Sequence, residues 1–335
     1  MNSPAENSPW TPLSLDEFDR ERGAFDQLVG QTPDIDGFCS STDWILPAHH
    51  ALMPERSARI WRSDAGYVAM SLAFGEDGRR FLQPLEAAWC LACPLIGSRS
   101  DALARRAGQL LHAERDGFDL ALLCGLTPNS RFLSQVARAL VPFFELRQGP
   151  STVRHLADLG DGVDAYLSRR SRNFRRSLER AQRRCEEAKI TIETIDRTHA
   201  DPKRLYERIL SVEARSWKGR EQSGITEGGM RELYQRIVRR LASRQTLELS
   251  FARHDGKDVA YILGGLFENS YRGLQFSFDA AYERYSLGNV VQLATMRRLE
   301  SQGVVDYDLG TDVPYKTRWA DRQHETVMLV VVSGW

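Results

Sequence analysis

The groups in this 335-residue chain with the clearest capacity for chemistry are ones that hold anions. From Phe276 to Trp319, Leu274, Phe276 and Phe278 first alternate as in a strand. Asp279 breaks the run, and Leu287, Val290, Val291 and Ala294 then recur at helical spacing. A strand, loop and helix in that order offer free backbone N–H groups at the helix start, so a phosphate-bearing ligand could dock around Ser286, Leu287, Gly288 and Asn289. Gly303 stands where a left-handed cap ends a helix, and 304–309 reads as a second strand running into Gly310 and Tyr315-Lys316-Thr317-Arg318-Trp319. A second stretch carries Arg169, Arg170, Arg172, Arg175, Arg176, Arg180, Arg183 and Arg184, offset within that window by Glu179 alone. Such a face is either a solvated helix surface or a patch for the phosphates of a cofactor, nucleotide or RNA, which arginine recognises well.

Other reactive side chains give weaker patterns. Cys90-Leu91-Ala92-Cys93 has CxxC spacing, but no second CxxC or nearby His pair completes a zinc site, so the two thiols read as buried or incidental. Adjacent His49 and His50 on a helix point to different faces, which argues against a shared metal. Trp217 either stacks on a substrate or buries its ring of about 200 Å² in an interface, burial being the expected fate of an indole. Asp279 and Ser286 have the chemistry of a turn residue and a helix N-cap. Asp308 before Leu309-Gly310 is a turn residue or a base. No Ser-His-Asp or Cys-His arrangement is spelled locally, so no covalent nucleophile is expected.

Composition bounds the class. The chain is 42% hydrophobic and 27% charged, as soluble globular proteins are. Lys plus Arg equals Asp plus Glu at 45 each, which removes any argument for wholesale nucleic-acid binding. Five cysteines without a signal-peptide pattern point to a reducing, cytoplasmic compartment. The longest nearly apolar run, 85–97, contains Glu86 and Pro94 and is shorter than the ~20 residues a membrane helix needs.

The elements that must position these groups fall into two halves, 1–150 and 151–335, as the length suggests. Residues 1–12, with three prolines, read as a frayed start. The first half continues with a helix from Leu15 to Leu28, a helical segment from Phe38 to Leu52, and a three-stranded meander through Leu85 turned at Asp64-Ala65-Gly66 and Glu76-Asp77-Gly78. Helix 101–114, strand 118–123, helix 130–140 and strand 143–146 follow, and Gln148-Gly149-Pro150-Ser151 makes a plausible boundary. The second half opens with one long helix, 162–188, and strand 189–195. Helices 202–217 and 226–243 come next, joined by a Gly-containing loop, and then a meander of 246–252, 259–267 and 271–278, turned at His254-Asp255-Gly256-Lys257.

Strand, two helices, meander, helix, strand and a terminal strand is an order that resembles the GNAT acyltransferase fold. Particular strings sharpen the likeness. Glu213-Ala214-Arg215-Ser216-Trp217-Lys218-Gly219, Asp279 followed by Tyr285-Ser286-Leu287-Gly288, and Asp308-Leu309-Gly310 followed by Tyr315-Lys316-Thr317-Arg318-Trp319 are similar to the CelD-like acyltransferase branch, related to the Fem peptidyltransferases. Tyr166-Leu167 followed by Arg172-Asn173-Phe174-Arg175-Arg176 resembles the basic helix that precedes the C-terminal unit in that branch. The resemblance implies a mixed α+β fold of two tandem GNAT-like domains, a degenerate first copy, and one active cleft in the second.

It also implies direct acyl transfer from a thioester to an amine, with no permanently bound cofactor and no metal. The co-substrate would be acyl-CoA or another acyl thioester, and the acceptor a small-molecule or peptide amine. Acyl carrier protein or charged tRNA are donors in the wider branch, and a silent scaffold in polysaccharide biosynthesis is the reading from a different class. By resemblance, Lys316 would stabilise the oxyanion, Tyr315 would shape the pocket or donate a proton, and Asp308 would serve as base. Backbone N–H groups near 277–279, including Phe278, would face the donor carbonyl, with Ser286, Leu287, Gly288 and Asn289 holding the donor. Trp217, Lys218, Arg172 and Arg175 would meet the substrate. The single glycine, Gly288, departs from the usual glycine-rich donor loop.

Overall fold

A computed structural model describes residues 9–221, 224–311 and 313–334, apart from the side chain of Arg220. These residues divide into two compact units, 9–152 with 325–334 and 153–324. The division falls inside a strand, not in the loop expected at 148–151.

The first unit opens with β1 (Thr11–Leu13) and helices α1 (Leu15–Arg20), α2 (Arg22–Gln31), α3 (Gly37–Ser40) and α4 (Thr42–Leu52). Residues 1–8 of the expected frayed start lie outside the described residues. Thr11–Leu13 does not fray, because it pairs antiparallel with β2 (Ser57–Ser63). Ser14 starts α1 with a capping box, its side chain accepting from Glu17 N while the Glu17 carboxylate reaches back to Ser14 N. Then come β3 (Gly66–Phe74), β4 (Arg80–Pro84), β5 (Leu95–Ile96), α5 (Ser100–Ala113), β6 (Leu120–Leu126), α6 (Arg131–Leu140) and β7 (Glu145–Asp158). The strand expected at 143–146 is therefore far longer and carries the chain through Gly149-Pro150 into the second unit.

The second unit contains α7 (Val163–Ser168), α8 (Arg172–Glu187), β8 (Thr191–Thr194), α9 (Pro202–Glu213), α10 (Trp217–Arg220), α11 (Gly228–Ser243), β9 (Leu247–His254), β10 (Lys257–Phe267), β11 (Ser270–Phe278), α12 (Leu287–Glu300), β12 (Asp306–Thr311) and the start of β13 (Arg322–Val332). The loop expected between α10 and α11 includes residues 222 and 223, outside the described residues. The single helix expected over 162–188 is two, because Ser171 caps a new start by accepting from Phe174 N at 3.2 Å. Arg169 and Arg170, at the break, both turn to Asp321. They are structural, and only the arginines beyond Ser171 belong to the basic face.

In the first unit the sheet order is β1-β2-β3-β4-β6-β13; in the second it is β7-β12-β11-β10-β9-β8. Residues 325–334 thus join the first unit, where Val327, Leu329 and Val331 pair antiparallel with β6, and not the second as expected. Among the described residues each unit has one parallel pair. In both, a three-stranded meander is followed by a helix and then a strand parallel to the last meander strand: β4 with β6, and β11 with β12. The meander turns follow their residues, with Asp255 and Gly256 both at positive φ.

Apolar burial supports each unit separately. Leu103, Leu111, Leu123, Phe132 and Val136 centre the first core, and Tyr166, Leu293, Met296, Leu299, Tyr307 and Trp319 one of the clusters in the second. No helix among the described residues is long and apolar enough to cross a membrane.

Candidate functional site

Two parallel strands that share few ladder positions must part, and both units do this at the same place in the repeat. In the second unit β11 and β12 pair only at Ser270–Asp306, Tyr271–Tyr307 and Arg272–Asp308. Beyond that point β12 follows β7, with Gly310 opposite His155 and Thr311 opposite Arg154. The rest of β11, from Gly273 to Phe278, keeps a partner only on its β10 side and stays partly exposed except at Ser277. The result is a V-shaped opening between backbone edges. β11 also bulges here: Gln275 faces Leu263 and Gly273 faces Gly264, which leaves Leu274 without a partner in the register. A bulge re-aims backbone groups out of the ladder. Of the N–H groups expected near 277–279 to face a donor carbonyl, that of Asp279 is given to Val259 O at 2.8 Å.

The corresponding opening in the first unit is filled by its own chain. β4 and β6 pair only at Phe81–Leu120 and Leu82–Ala121, and β5 then takes the place of β4 against β3. A Cβ on Gly125 of β6 would stand 2.5 Å from Leu91 O and 2.6 Å from Cys93 N, so segment 86–96 packs directly on that strand. Buried Glu86 holds it by accepting from Trp89 N at 2.7 Å and Leu91 N at 3.1 Å. Only the second unit offers an open cleft of this kind among the described residues.

At the point of the V lies a buried ionic cluster. Asp308 accepts from Arg272 Nη1 at 2.7 Å and from Arg154 Nη1 through Oδ2, and its Oδ1 accepts from Gly310 N at 2.7 Å. Burial pushes its carboxyl up, but the Arg272 and Arg154 guanidiniums outweigh that and hold it below the ordinary carboxylate range. Both oxygens of the carboxylate expected to act as base are thus engaged in this cluster. Its work is to tie β7, β11 and β12 together where they diverge.

Lys316 stands at the mouth. Its Nζ donates to Thr311 O at 2.9 Å, and a Cβ on Gly310 (φ 90°) would come within 3.1 Å of that nitrogen and 3.8 Å of Gly273 O on β11. Gly310 thus leaves the ammonium room against β12. The turn is anchored behind by Trp319, 2% exposed, whose carbonyl accepts from Tyr166 Oη at 2.7 Å and whose ring meets Phe174 edge-on at 5.0 Å. Tyr315 is 49% exposed, with Lys316 Nζ 6.0 Å from its ring centroid.

Lys218 lies on the other side of the opening. Its Nζ donates to Phe276 O at 2.7 Å and Gln275 Oε1 at 2.9 Å, and desolvation lowers its pKa despite the opposing pull of Glu213. The lysine expected to meet substrate thus bonds both the backbone and a side chain of β11. Its neighbour Trp217 is 50% exposed, against the expectation that the indole would be buried. The indole stays out because α10 is a separate four-residue turn started by Ser216, whose side chain accepts from Gly219 N, and not a continuation of α9.

The loop between β11 and α12 differs in detail from its sequence reading. Asp279 does make the turn, accepting from Ala281 N at 3.0 Å, and is held by Arg215 at 2.8 Å. Ser286 occupies the N-cap position in a left-handed conformation (φ 54°) but makes no capping bond; its hydroxyl instead accepts from Arg184 Nη2 at 3.4 Å. Leu287 is fully buried, so its side chain is not a ligand group. Asn289 donates its N–H to Ser286 O at 3.0 Å, and the Phe278 ring lies 6.0 Å from that of Phe276. The missing Cβ of Gly288 faces the Phe276 ring at 2.4 Å, which gives that glycine a packing reason. Gly→Ala in an exposed helix stabilises by about 1 kcal/mol. Gly288→Ala is expected to do the opposite, destabilising by about 1–3 kcal/mol through overpacking. Urea unfolding checks it, and Phe276→Leu in the same chain should restore most of the loss.

On α8, Arg172, Arg175, Arg176, Arg180 and Arg183 are exposed, and no hydrogen bond or ion pair engages them among the described residues. Three stand in the first turn and a half, where the helix dipole disfavours cations, and the first turn has no acidic residue. The residues of this opening that the sequence did not single out are Arg154 and Arg272, whose place comes from a partner far away in the chain, Asp308. Among the described residues no group of three or more His, Cys, Asp or Glu could hold a metal.

Residues 172–317 match a family model described as an acetyltransferase (GNAT) domain. No curated protein matched the chain by sequence. Among solved structures, a conserved protein of unknown function from Bacteroides thetaiotaomicron VPI-5482 is similar at TM-score 0.66 and 13% identity, covering 96% of this chain and 99% of that one. FemX is similar at TM-score 0.66 and 10% identity, with 96% and 97% covered. The C-terminal DUF2156 domain of a putative lysylphosphatidylglycerol synthetase from Agrobacterium fabrum follows at TM-score 0.55 and 15% identity, with 85% and 90% covered. At such identities the likeness is one of fold.

Proposed function

Because the chain carries a GNAT-superfamily domain on a Fem-like fold, we propose that it is an N-acyltransferase moving an acyl group from a thioester, acyl-CoA or acyl carrier protein, to the amine of a small molecule or peptide. The observation that carries this reading is the parting of β11 and β12 after three paired residues, with the Lys316 ammonium at the mouth. The thioester arm would lie along the open edge of β11. A neutral amine would attack the carbonyl carbon, forming the C–N bond and an oxyanion. The bulge at Leu274 and the Lys316 charge would stabilise that oxyanion before the C–S bond breaks and the thiolate leaves with the proton the amine gives up. Trp217 and Tyr315, both half exposed, would border the acceptor, while Lys218 and the Asp308 cluster keep the strands in place.

One observation favours a second reading, transfer of an aminoacyl group from charged tRNA. Five exposed arginines without acidic partners on α8 suit a phosphate backbone. Reversing Arg172 and Arg175 to Glu removes cations from a helix start and should not harm folding. It is expected to weaken donor or acceptor binding, more so at low salt. Thermal shift with CoA, acyl-CoA and charged tRNA separates the readings: stabilisation by the thioester ligands supports the first, and by tRNA the second. Stabilisation by none supports a silent scaffold.

A further inference from the structure

The basic face of α8 and the loop that leads into α12 belong to one surface. Arg184 Nη2 donates to Ser286 Oγ at 3.4 Å, and Cys185 Sγ donates to Tyr285 O at 3.8 Å. Ala181 and Cys185 of α8 share an apolar cluster with Leu287, Val290 and Val291 of α12. Along α8, Arg172, Arg176, Arg180 and Arg183 follow at i, i+4, i+8 and i+11. They form one stripe about 17 Å long, with Arg175 beside its first turn. All five are exposed, and no hydrogen bond or ion pair engages them among the described residues. The loop itself is poorly equipped to cradle a free pyrophosphate. Ser286 N is given to Glu283 O and Asn289 N to Ser286 O, Leu287 is buried, and Gly288 serves packing against Phe276. Anion recognition beside the opening thus rests on α8 side chains more than on loop backbone.

We propose that the arginine stripe of α8 is the docking surface for an acidic acyl carrier protein, which presents its phosphopantetheine thioester to the β11–β12 opening. The proposal rests on the thioester reading above and names which thioester this chain takes. Charge complementarity carries it. Five guanidiniums spread over that length exceed what the phosphates of one CoA can engage, whereas a row of carboxylates at i, i+4 spacing on a partner helix would meet them one by one. The helix dipole opposes cations in the first turns of α8, and no acidic residue stands there to offset it, so an acidic partner relieves a cost the chain leaves in place. RNA fits this face less well. Single-stranded nucleic acid is held by basic groups together with aromatic platforms for the bases. The one aromatic residue of α8, Phe174, turns inward instead and meets the Trp319 ring edge-on at 5.0 Å.

The test needs no acceptor. Isotope-labelled holo acyl carrier protein of the acidic bacterial type is titrated with the full chain at low salt and followed by NMR. The expected result is saturable binding with shifts centred on an acidic helix of the carrier. Reversing Arg176 and Arg180 together to Glu should weaken it at least ~10-fold, as should about 0.5 M salt. Arg239→Glu, the same charge change on an exposed arginine of α11, should leave affinity within about two-fold. Melting curves check that each variant folds, and the salt titration on the parent decides the matter even if one does not. Absence of saturable binding up to ~100 µM carrier, or binding indifferent to both salt and the double reversal, would overturn the proposal. Displacement of the carrier by tRNA that itself depends on Arg176 and Arg180 would assign the face to RNA and overturn it too. Deuterium exchange separates this failure from that of the thioester reading. Protection of Gly273–Phe278 by a non-hydrolysable acyl-CoA analogue without carrier binding removes the docking surface alone; no protection by acyl groups borne on either CoA or the carrier removes the reading beneath it.

Discussion

Lys316→Ala is expected to cut acyl transfer by about 10²–10³-fold in kcat, the usual effect of removing one oxyanion donor, with little change in thermal stability. The lysine Nζ donates to the Thr311 carbonyl at the cleft mouth, while the turn that carries it is held from behind by Trp319, Tyr166 and Phe174. KM for the thioester should stay within a few-fold, since the charge is needed when the oxyanion forms and not in the ground state. Steady-state rates with thiol release as the readout, beside a melting curve, check both halves. Activity within a few-fold of the parent would remove Lys316 from the catalytic residues.

Asp308→Asn is expected to act on stability. It leaves the Arg154 and Arg272 guanidiniums buried without their counter-charge, and breaking a buried pair from one side costs about 3–5 kcal/mol. Denaturant unfolding measures it. The same carboxylate gives a pH dependence with a definite sign. Its folded pKa is lowered from the ordinary 3.8, so as pH falls the unfolded chain takes up the proton first. The stabilisation is therefore present at neutral pH and is lost as pH falls through the folded value. Asp308→Asn should flatten that acid limb. If the variant unfolds at the parent's denaturant midpoint, the cluster does not hold the strands.

Local chemistry made much of the fold legible. Asp255-Gly256 fixes a hairpin wherever it occurs between alternating runs, and the repeated meander, helix and strand gave away the two-unit order. The break at Ser171 was harder: the apolar stripe of 162–188 is continuous, and only the cap and the pull of Asp321 on Arg169 and Arg170 divide it. β7 crossing Gly149-Pro150 ran against the turn chemistry of those residues, because long-range strand pairing outweighs a local preference. In the site, the YKTRW string pointed to the mouth of the cleft, but nothing local to Asp308 announces the two arginines, 154 and 36 positions away, that bond its carboxylate. Trp217 was expected inside and lies half exposed for a related reason: a four-residue helix started by Ser216 decides which way the indole faces.

Hydrogen–deuterium exchange with and without donor tests most directly whether the β11–β12 opening is the acyl-donor cleft. With a non-hydrolysable acyl-CoA analogue or charged tRNA in excess, protection should appear at Gly273–Phe278 and the loop from Asp279 to Asn289, with segment 86–96 of the first unit unchanged. Protection confined to the first unit, or none at β11 with any of these donors, would contradict it.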